Sequence, residues 1–353
     1  MSDAEPTRDI RSRALRSLAW AYGALLSHRV LLLVSTLVLA RLLDPSEFGI
    51  VAFALAVIAY LSYLTDLGMT AALVQRQDAR DPAVASTVFW LSVSGAAVLT
   101  AIAWFAAPAI ARVGPDPLVE DVVRALSVSF FIGAFGGAQA ALYEHSLEFR
   151  PLAVRQIGAG LAKGTTSIAL AAAGAGVWSL VAGQLVGATV GVLLLWWGSS
   201  WRPSAVVSRA QVPSLLRFGG AITALGFLSE VGRSADYIIV GARAGAEALG
   251  LYYLAFRLPD VVIAAASQVA WRVLFPAYAR LKDAASGDGS GLEALGRGYL
   301  RTVRLVSLVV FPAAFGLAAL ATPIVVTLFG RRWENAADAM ALLAIWAAVE
   351  GVE

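Results

Sequence analysis

Long apolar runs, most of them about 18–25 residues, follow one another along this chain with only short polar stretches between them. Each run is long enough to cross a bilayer as a helix. In lipid every backbone N–H and C=O must be satisfied within the protein, which leaves only α-helices or a closed barrel. A barrel would show segments of about ten residues with alternating polarity, and the runs here do not alternate. Composition agrees: 14% of residues are charged, against about 25% in soluble domains, and mean hydropathy is +0.74. The expected fold class is all-α, a polytopic transmembrane helix bundle. Helices are expected at roughly 16–42, 49–74, 84–111, 119–143, 152–174, 177–198, 213–242, 249–278, 299–327 and 336–353.

A repeat refines this. Residues 40–53 read ARLLDPSEFGIVAF and residues 242–256 read ARAGAEALGLYYLAF. Each copy begins with Ala-Arg, passes a Glu, reaches a Gly (Gly49, Gly250) and re-enters an apolar run. Two related membrane halves in tandem point to a transporter with its substrate path between them. The expected organisation is two pseudo-symmetric lobes: a cytoplasmic tail at 1–14, an N-terminal six-helix lobe at 15–200 and a C-terminal lobe at 201–353. Six helices are expected before residue 201 and only four after it, so the second lobe is expected to be truncated.

The distribution of basic residues orients the bundle. Sixteen Lys and Arg fall on one side, from Arg8, Arg11, Arg13 and Arg16 to Arg297, Arg301 and Arg304; six fall on the other, at Arg41, Arg112, Arg124, Arg243, Arg331 and Arg332. The richer side is cytoplasmic by the positive-inside rule, which places the N-terminus inside. The net charge of +3 is thus accounted for by topology and does not imply nucleic acid. Absence of cysteine and the presence of only His28 and His145 exclude thiolate chemistry and a His-rich metal centre. No Ser-His-Asp set or catalytic carboxylate pair is visible, and no enzyme activity is expected.

Five basic residues remain inside the runs: Arg29, Lys163, Arg233, Arg257 and Arg272. A charge at membrane depth costs about 2.5–3.5 kcal/mol or more, so such groups normally face a cavity or a partner. Glu230, Arg233 and Asp236 share one face of their helix, at spacings i, i+3 and i+6. Arg257, Asp260, Gln268 and Arg272 form a single polar stripe on the next. Glu230–Arg233 and Arg257–Asp260 are also spaced to neutralise one another locally. The functional reading is a positively charged central cavity for an anion, since guanidinium matches phosphate oxygens in a bidentate way. Arg29, Lys163, Arg233, Arg257, Gln268 and Arg272 are the expected substrate-binding residues. Glu230, Asp236 and Asp260 are candidates for a coupling ion. No cofactor is expected beyond a coupling proton or Na+. Trp196, Trp197 and Trp201 read as an interfacial aromatic belt.

Several stretches resemble those of a known family: LARLLDPSEFGIVAFA (39–54), TDLGMTAALVQRQD (65–78), STVFWL (86–91), AGVWSLVAGQL (175–185), FGGAITALGFL (218–228), ALGLYYLAFRLPD (248–260) and VLFPAYARLKD (273–283). In order and spacing the chain is similar to Wzx-type polysaccharide flippases, in the superfamily that includes the multidrug and toxic compound extrusion (MATE) transporters. The resemblance implies two six-helix lobes around a cavity open alternately to each side. It implies, as cargo, an oligosaccharide on undecaprenyl diphosphate, moved across the bacterial inner membrane for O-antigen, capsule or exopolysaccharide synthesis. Implied partners are membrane lipids, a polysaccharide polymerase and glycosyltransferases. It also singles out Arg29, Arg233 and Arg257 as contacts to the diphosphate or to acidic sugars. Three alternatives stand beside it: a multidrug exporter, which would favour carboxylates and aromatics in its cavity; a lipid II flippase of the same superfamily; and a membrane glycan ligase or polymerase, which would favour one large extracytoplasmic loop.

Overall fold

The computed structural model describes residues 29–350 apart from 66, 77, 80, 209–210 and 285–289, together with 23 and 27; side chains at 261–295 and 297 lie outside the description. Among the described residues the chain is helical and no strand forms. It divides into two compact units between Leu249 and Gly250.

The first unit begins with α1 (29–42). Asp44 then takes an extended backbone as N-cap of α2 (Pro45–Ser62), Pro45 opens the helix, and the Glu47 carboxylate accepts from the Asp44 N–H at 2.8 Å. This is the reciprocal arrangement that an acidic N-cap followed three residues later by Glu encodes. The single helix expected over 49–74 is instead two, α2 and the short α3 (Met69–Gln75). Between them Leu67 and Gly68 adopt positive φ, 48° and 69°. Gly68 is required there twice over, because a Cβ would also collide with the Gly219 carbonyl. Four longer helices follow: α4 (Pro82–Val113), α5 (Val119–His145), α6 (Phe149–Ala172) and α7 (Val177–Gly198). Asp81 caps α4 by accepting from Ala83 N–H at 2.9 Å.

α5 is the hub, packing against α2, α3, α4, α6 and α7. The α6–α7 pair is built on small residues. Gly183, Gly187 and Gly191 line one face of α7, where a Cβ would meet Ser167, Lys163 and Ala159 of α6. Such a stripe lets helix backbones approach closely where no hydrophobic effect drives association. An aromatic cluster closes one end of the unit, with Phe89 edge-on to Trp90, Phe135, Trp196 and Trp201 at centroid distances of 5.2–6.2 Å. The belt reading of the tryptophans is thereby revised. Trp196 and Trp201 are packed inside, with Trp196 Nε1 donating to Phe135 O at 2.8 Å, and only Trp197 points outward, 87% exposed. STVFWL is a clamp: Ser86, Thr87 and Trp90 hold Ser204 and Ser208 of the stretch leading to α8 at 2.8–3.0 Å.

α8 runs from Val212 to Ala284 but is interrupted at Gly245, whose φ of 87° and ψ of 178° are not helical. Only glycine reaches that backbone region readily. The second copy of the repeat thus breaks a helix where the first does, just after Ala-Arg. The second unit continues through α9 (Ser290–Ala319), α10 (Ala321–Leu328), a 3-10 turn (Arg331–Trp333) and α11 (Ala336–Glu350). The run expected as one helix at 299–327 is divided at Leu320. Val310 and Ala314 of α9 pack against Ala347 and Ala348 of α11, and Phe256 lies 5.8 Å from Trp346.

Six helical stretches among the described residues are long and apolar enough to cross a membrane: Pro45–Ser62, Pro82–Val113, Val119–His145, Val177–Gly198, Val212–Asp260 and Gly298–Ala319. α6 has the length but carries Arg150, Arg155 and Lys163, which lowers its mean hydropathy. It is sheltered instead by its close packing on α7.

Candidate functional site

Two polar features stand out in the first unit. The first joins α2 to α8. The Tyr60 hydroxyl donates to Val231 O at 3.5 Å, its ring packs against Phe227, and it lies within electrostatic range of both Glu230 and Asp236. Glu230 accepts from Ser234 Oγ, one turn along, at 2.6 Å. The local Glu230–Arg233 ion pair that the spacing allowed does not form among the described residues, and Arg233 is exposed. Helical spacing permits such a pair, but a hydroxyl one turn away serves the carboxylate at shorter reach.

The second feature is a cavity of about 530 Å³ walled by α2, α3, α4, α5 and α7. Among the described residues its polar lining is Ser62, Thr65, Thr70, Ser92, Ser129 and Gln184. Ser92 is 1% exposed. Neither Ser92 Oγ nor Thr65 Oγ1 has a hydrogen-bond partner. Lys163 stands behind this wall, on α6, its Nζ donating to Gln184 Oε1 at 2.7 Å.

The remaining expected residues are distributed as follows. Arg29 is half-buried on α1. Arg257 and Asp260 lie in the second unit, both half-buried. They form no ion pair with each other, and Arg257 Nε is buried without a partner. The side chains of Gln268 and Arg272 lie outside the described residues. Sequence reasoning did not find Tyr60, Ser92, Thr65 or Gln184. Gln184 left a trace, as the only amide or charged residue in the run 177–198. No group of three or more His, Cys, Asp or Glu side chains placed to hold a metal occurs among the described residues.

Outside the helices, Arg76 forms a fourfold tether. It donates to both oxygens of Asp78 at 2.6 Å, to Gln211 Oε1 at 2.7 Å and to Ser214 Oγ at 3.1 Å. The guanidinium holds the Asp78 carboxyl below the ordinary carboxylate range, chiefly by hydrogen bonding.

The helical fold, with six stretches long and apolar enough to cross a bilayer, defines a multi-pass membrane protein. The solved inward closed structure of the lipid II flippase MurJ matches with a TM-score of 0.70 at 12% identity, covering 95% of this chain and 75% of that one. An inward-facing multidrug resistance MATE family transporter of the MOP superfamily matches with a TM-score of 0.67 at 16% identity, covering 92% and 78%. These likenesses concern the fold alone. Residues 38–338 match the family described as polysaccharide biosynthesis protein, and the chain belongs to that family. It is 27% identical to the lipopolysaccharide biosynthesis protein WzxC of Escherichia coli (strain K12), over 95% of this chain and 67% of that protein. It is 26% identical to the teichuronic acid biosynthesis protein TuaB of Bacillus subtilis (strain 168), over 81% and 58%. The chain therefore spans between 58% and 67% of the length of these relatives.

Proposed function

We propose that the protein is a flippase that carries undecaprenyl-diphosphate-linked oligosaccharide across the bacterial inner membrane for surface polysaccharide synthesis, with its N-terminus in the cytoplasm. The observation that carries this reading beyond family membership is Arg257. Its Nε is buried, carries no hydrogen bond, and has no ion pair with Asp260. A half-buried guanidinium whose Nε lacks a protein partner suits an anion that arrives from outside the protein, and a diphosphate offers oxygens in the matching geometry.

Transport of this kind makes and breaks no covalent bond. Glycan and diphosphate enter a cavity on the cytoplasmic side while the lipid tail stays in the bilayer, and the cavity arginines offset desolvation of the diphosphate. Alternating access then exposes the head group on the far side. Glu230 and Asp236, both within electrostatic range of the Tyr60 hydroxyl, are the groups through which a coupling proton or Na+ would act. Polymerase and glycosyltransferases act before and after this step and are its functional partners.

The test is replacement of Arg29, Arg233 and Arg257 with Ala in a strain that depends on this protein for surface glycan. Export falls by at least tenfold, the protein stays in the membrane at its normal level, and lipid-linked oligosaccharide accumulates in the cytoplasmic leaflet. Export at the wild-type rate in the triple variant overturns the proposal. Proteoliposome assays that offer lipid II as a second cargo separate this reading from that of a lipid II flippase.

A further inference from the structure

We infer that the cavity inside the first unit is a binding site for an uncharged sugar residue, separate from the arginines assigned to the diphosphate. The inference rests on the flippase reading for the source of the sugar and on the cavity itself for its chemistry.

Size admits a ligand: about 530 Å³ lies within the roughly 300–1,000 Å³ range of small-molecule sites. The lining decides what kind. Among the described residues it offers five hydroxyls, at Ser62, Thr65, Thr70, Ser92 and Ser129, and the Gln184 amide, with no carboxylate and no cation among them. A cation would find no neutralising charge among these groups. Lys163, behind the wall, donates to the Gln184 oxygen at 2.7 Å, which leaves the Gln184 NH2 to donate into the space. Hydroxyls that donate and accept, beside an amide donor, match the hydroxyls of a pyranose.

Two of those hydroxyls supply a second, independent observation. Hydroxyls in apolar helices ordinarily bond to a carbonyl of their own helix, as Thr87 does with Ala83 O and Thr36 with Leu32 O, both at 2.7 Å. Ser92 Oγ and Thr65 Oγ1 are buried at the cavity wall and do not. Buried polar groups left without a protein partner are satisfied by a ligand or by water. Phe130 and Ile58, in the same wall, provide the apolar surface against which the C–H face of a sugar ring packs.

The experiment measures equilibrium binding of radiolabelled D-glucose, D-galactose and N-acetyl-D-glucosamine to the protein in nanodiscs. At least one is expected to bind saturably in the millimolar range. The S92A/T65V pair removes hydroxyls that bond to nothing in the empty protein, so its thermal midpoint is expected to be no lower than that of the wild type, while sugar affinity falls at least tenfold. A second variant, Gly133→Val, places bulk where an added Cβ meets no atom within 4 Å, and is expected to abolish binding by filling the space. No binding above empty nanodiscs for any of the three sugars, or binding unchanged in both variants, overturns the inference and leaves a cavity that holds water. Translocation of lipid-linked oligosaccharide is assayed on the same wild-type preparation. Translocation without sugar binding refutes the cavity site and leaves the flippase reading standing. Sugar binding without translocation upholds the site and refutes the flippase reading.

Discussion

Lys163 Nζ donates to Gln184 Oε1 at 2.7 Å, joining α6 to α7 directly beside the glycine that brings the two helices into contact. A lysine that enters the sequence as an isolated charge at membrane depth is thus given an acceptor by a neighbouring helix. Hydrogen bonds to charged groups are worth about 1.5–3 kcal/mol. Gln184→Leu strips the ammonium of that acceptor and leaves it charged, whereas Lys163→Met removes the charge itself. Gln184→Leu is therefore expected to lower stability by about 1.5–3 kcal/mol and Lys163→Met by distinctly less, as read by thermal unfolding in detergent. Equal losses in the two variants would sink this account.

Gly187 sits where a Cβ would lie 2.9 Å from the Lys163 Cβ and 3.0 Å from the Ala159 carbonyl oxygen. Overpacking of this kind costs typically about 1–3 kcal/mol. Gly187→Leu should lower the yield of folded protein and separate α6 from α7. Gly316→Ala, where an added Cβ meets nothing within 4 Å, should be tolerated. Size-exclusion profiles in detergent compare the two.

Gly245 interrupts α8 with φ of 87° and ψ of 178°. Forcing a side chain into such a backbone costs on the order of 1–3 kcal/mol. Gly245→Ala is expected to reduce thermal stability by that amount or to make the break helical. Hydrogen exchange at 243–247 distinguishes the two outcomes, and wild-type stability with wild-type exchange would contradict the assignment.

The Arg76–Asp78 pair carries a pH signature. The Asp78 carboxyl titrates below its ordinary value because Arg76 donates to it. A group whose folded pKa is depressed contributes stability above its unfolded pKa, about 3.9, and that contribution is lost as pH falls through the folded value. Asp78 is 44% exposed, so the effect is discounted to about 0.2–1 kcal/mol. Asp78→Asn should therefore lower stability slightly at pH 6–8 and match the wild type below pH 3. Arg76→Ala also loses Gln211 and Ser214, and should speed amide exchange in the first turn of α8.

Some of this was legible in the residues. The Asp44-Pro45 start of α2, the Asp81-Pro82 start of α4 and the break after Ala242-Arg243 follow from capping and glycine chemistry that acts within a few residues. The breaks at Gly68 and Leu320 lie inside runs apolar enough to read as single helices, with only Asp66 and Gly68 in the first and Pro323 in the second as local signals. Hydropathy measures the preference for lipid and is insensitive to where a helix stops.

The sequence by itself determined the class: apolar runs of membrane-crossing length admit only helices, a repeated Ala-Arg…Glu…Gly marks two related breaks, and stranded cations predict polar partners. Only the tertiary structure decided who those partners are. Glu230 met Ser234, not Arg233; Lys163 met Gln184; the Ser92 and Thr65 hydroxyls met none. Charge is costly in lipid and announces itself in a sequence. A hydroxyl costs little wherever its own helix can satisfy it, so a cavity lined with hydroxyls becomes visible only once packing shows which of them are left unpaired.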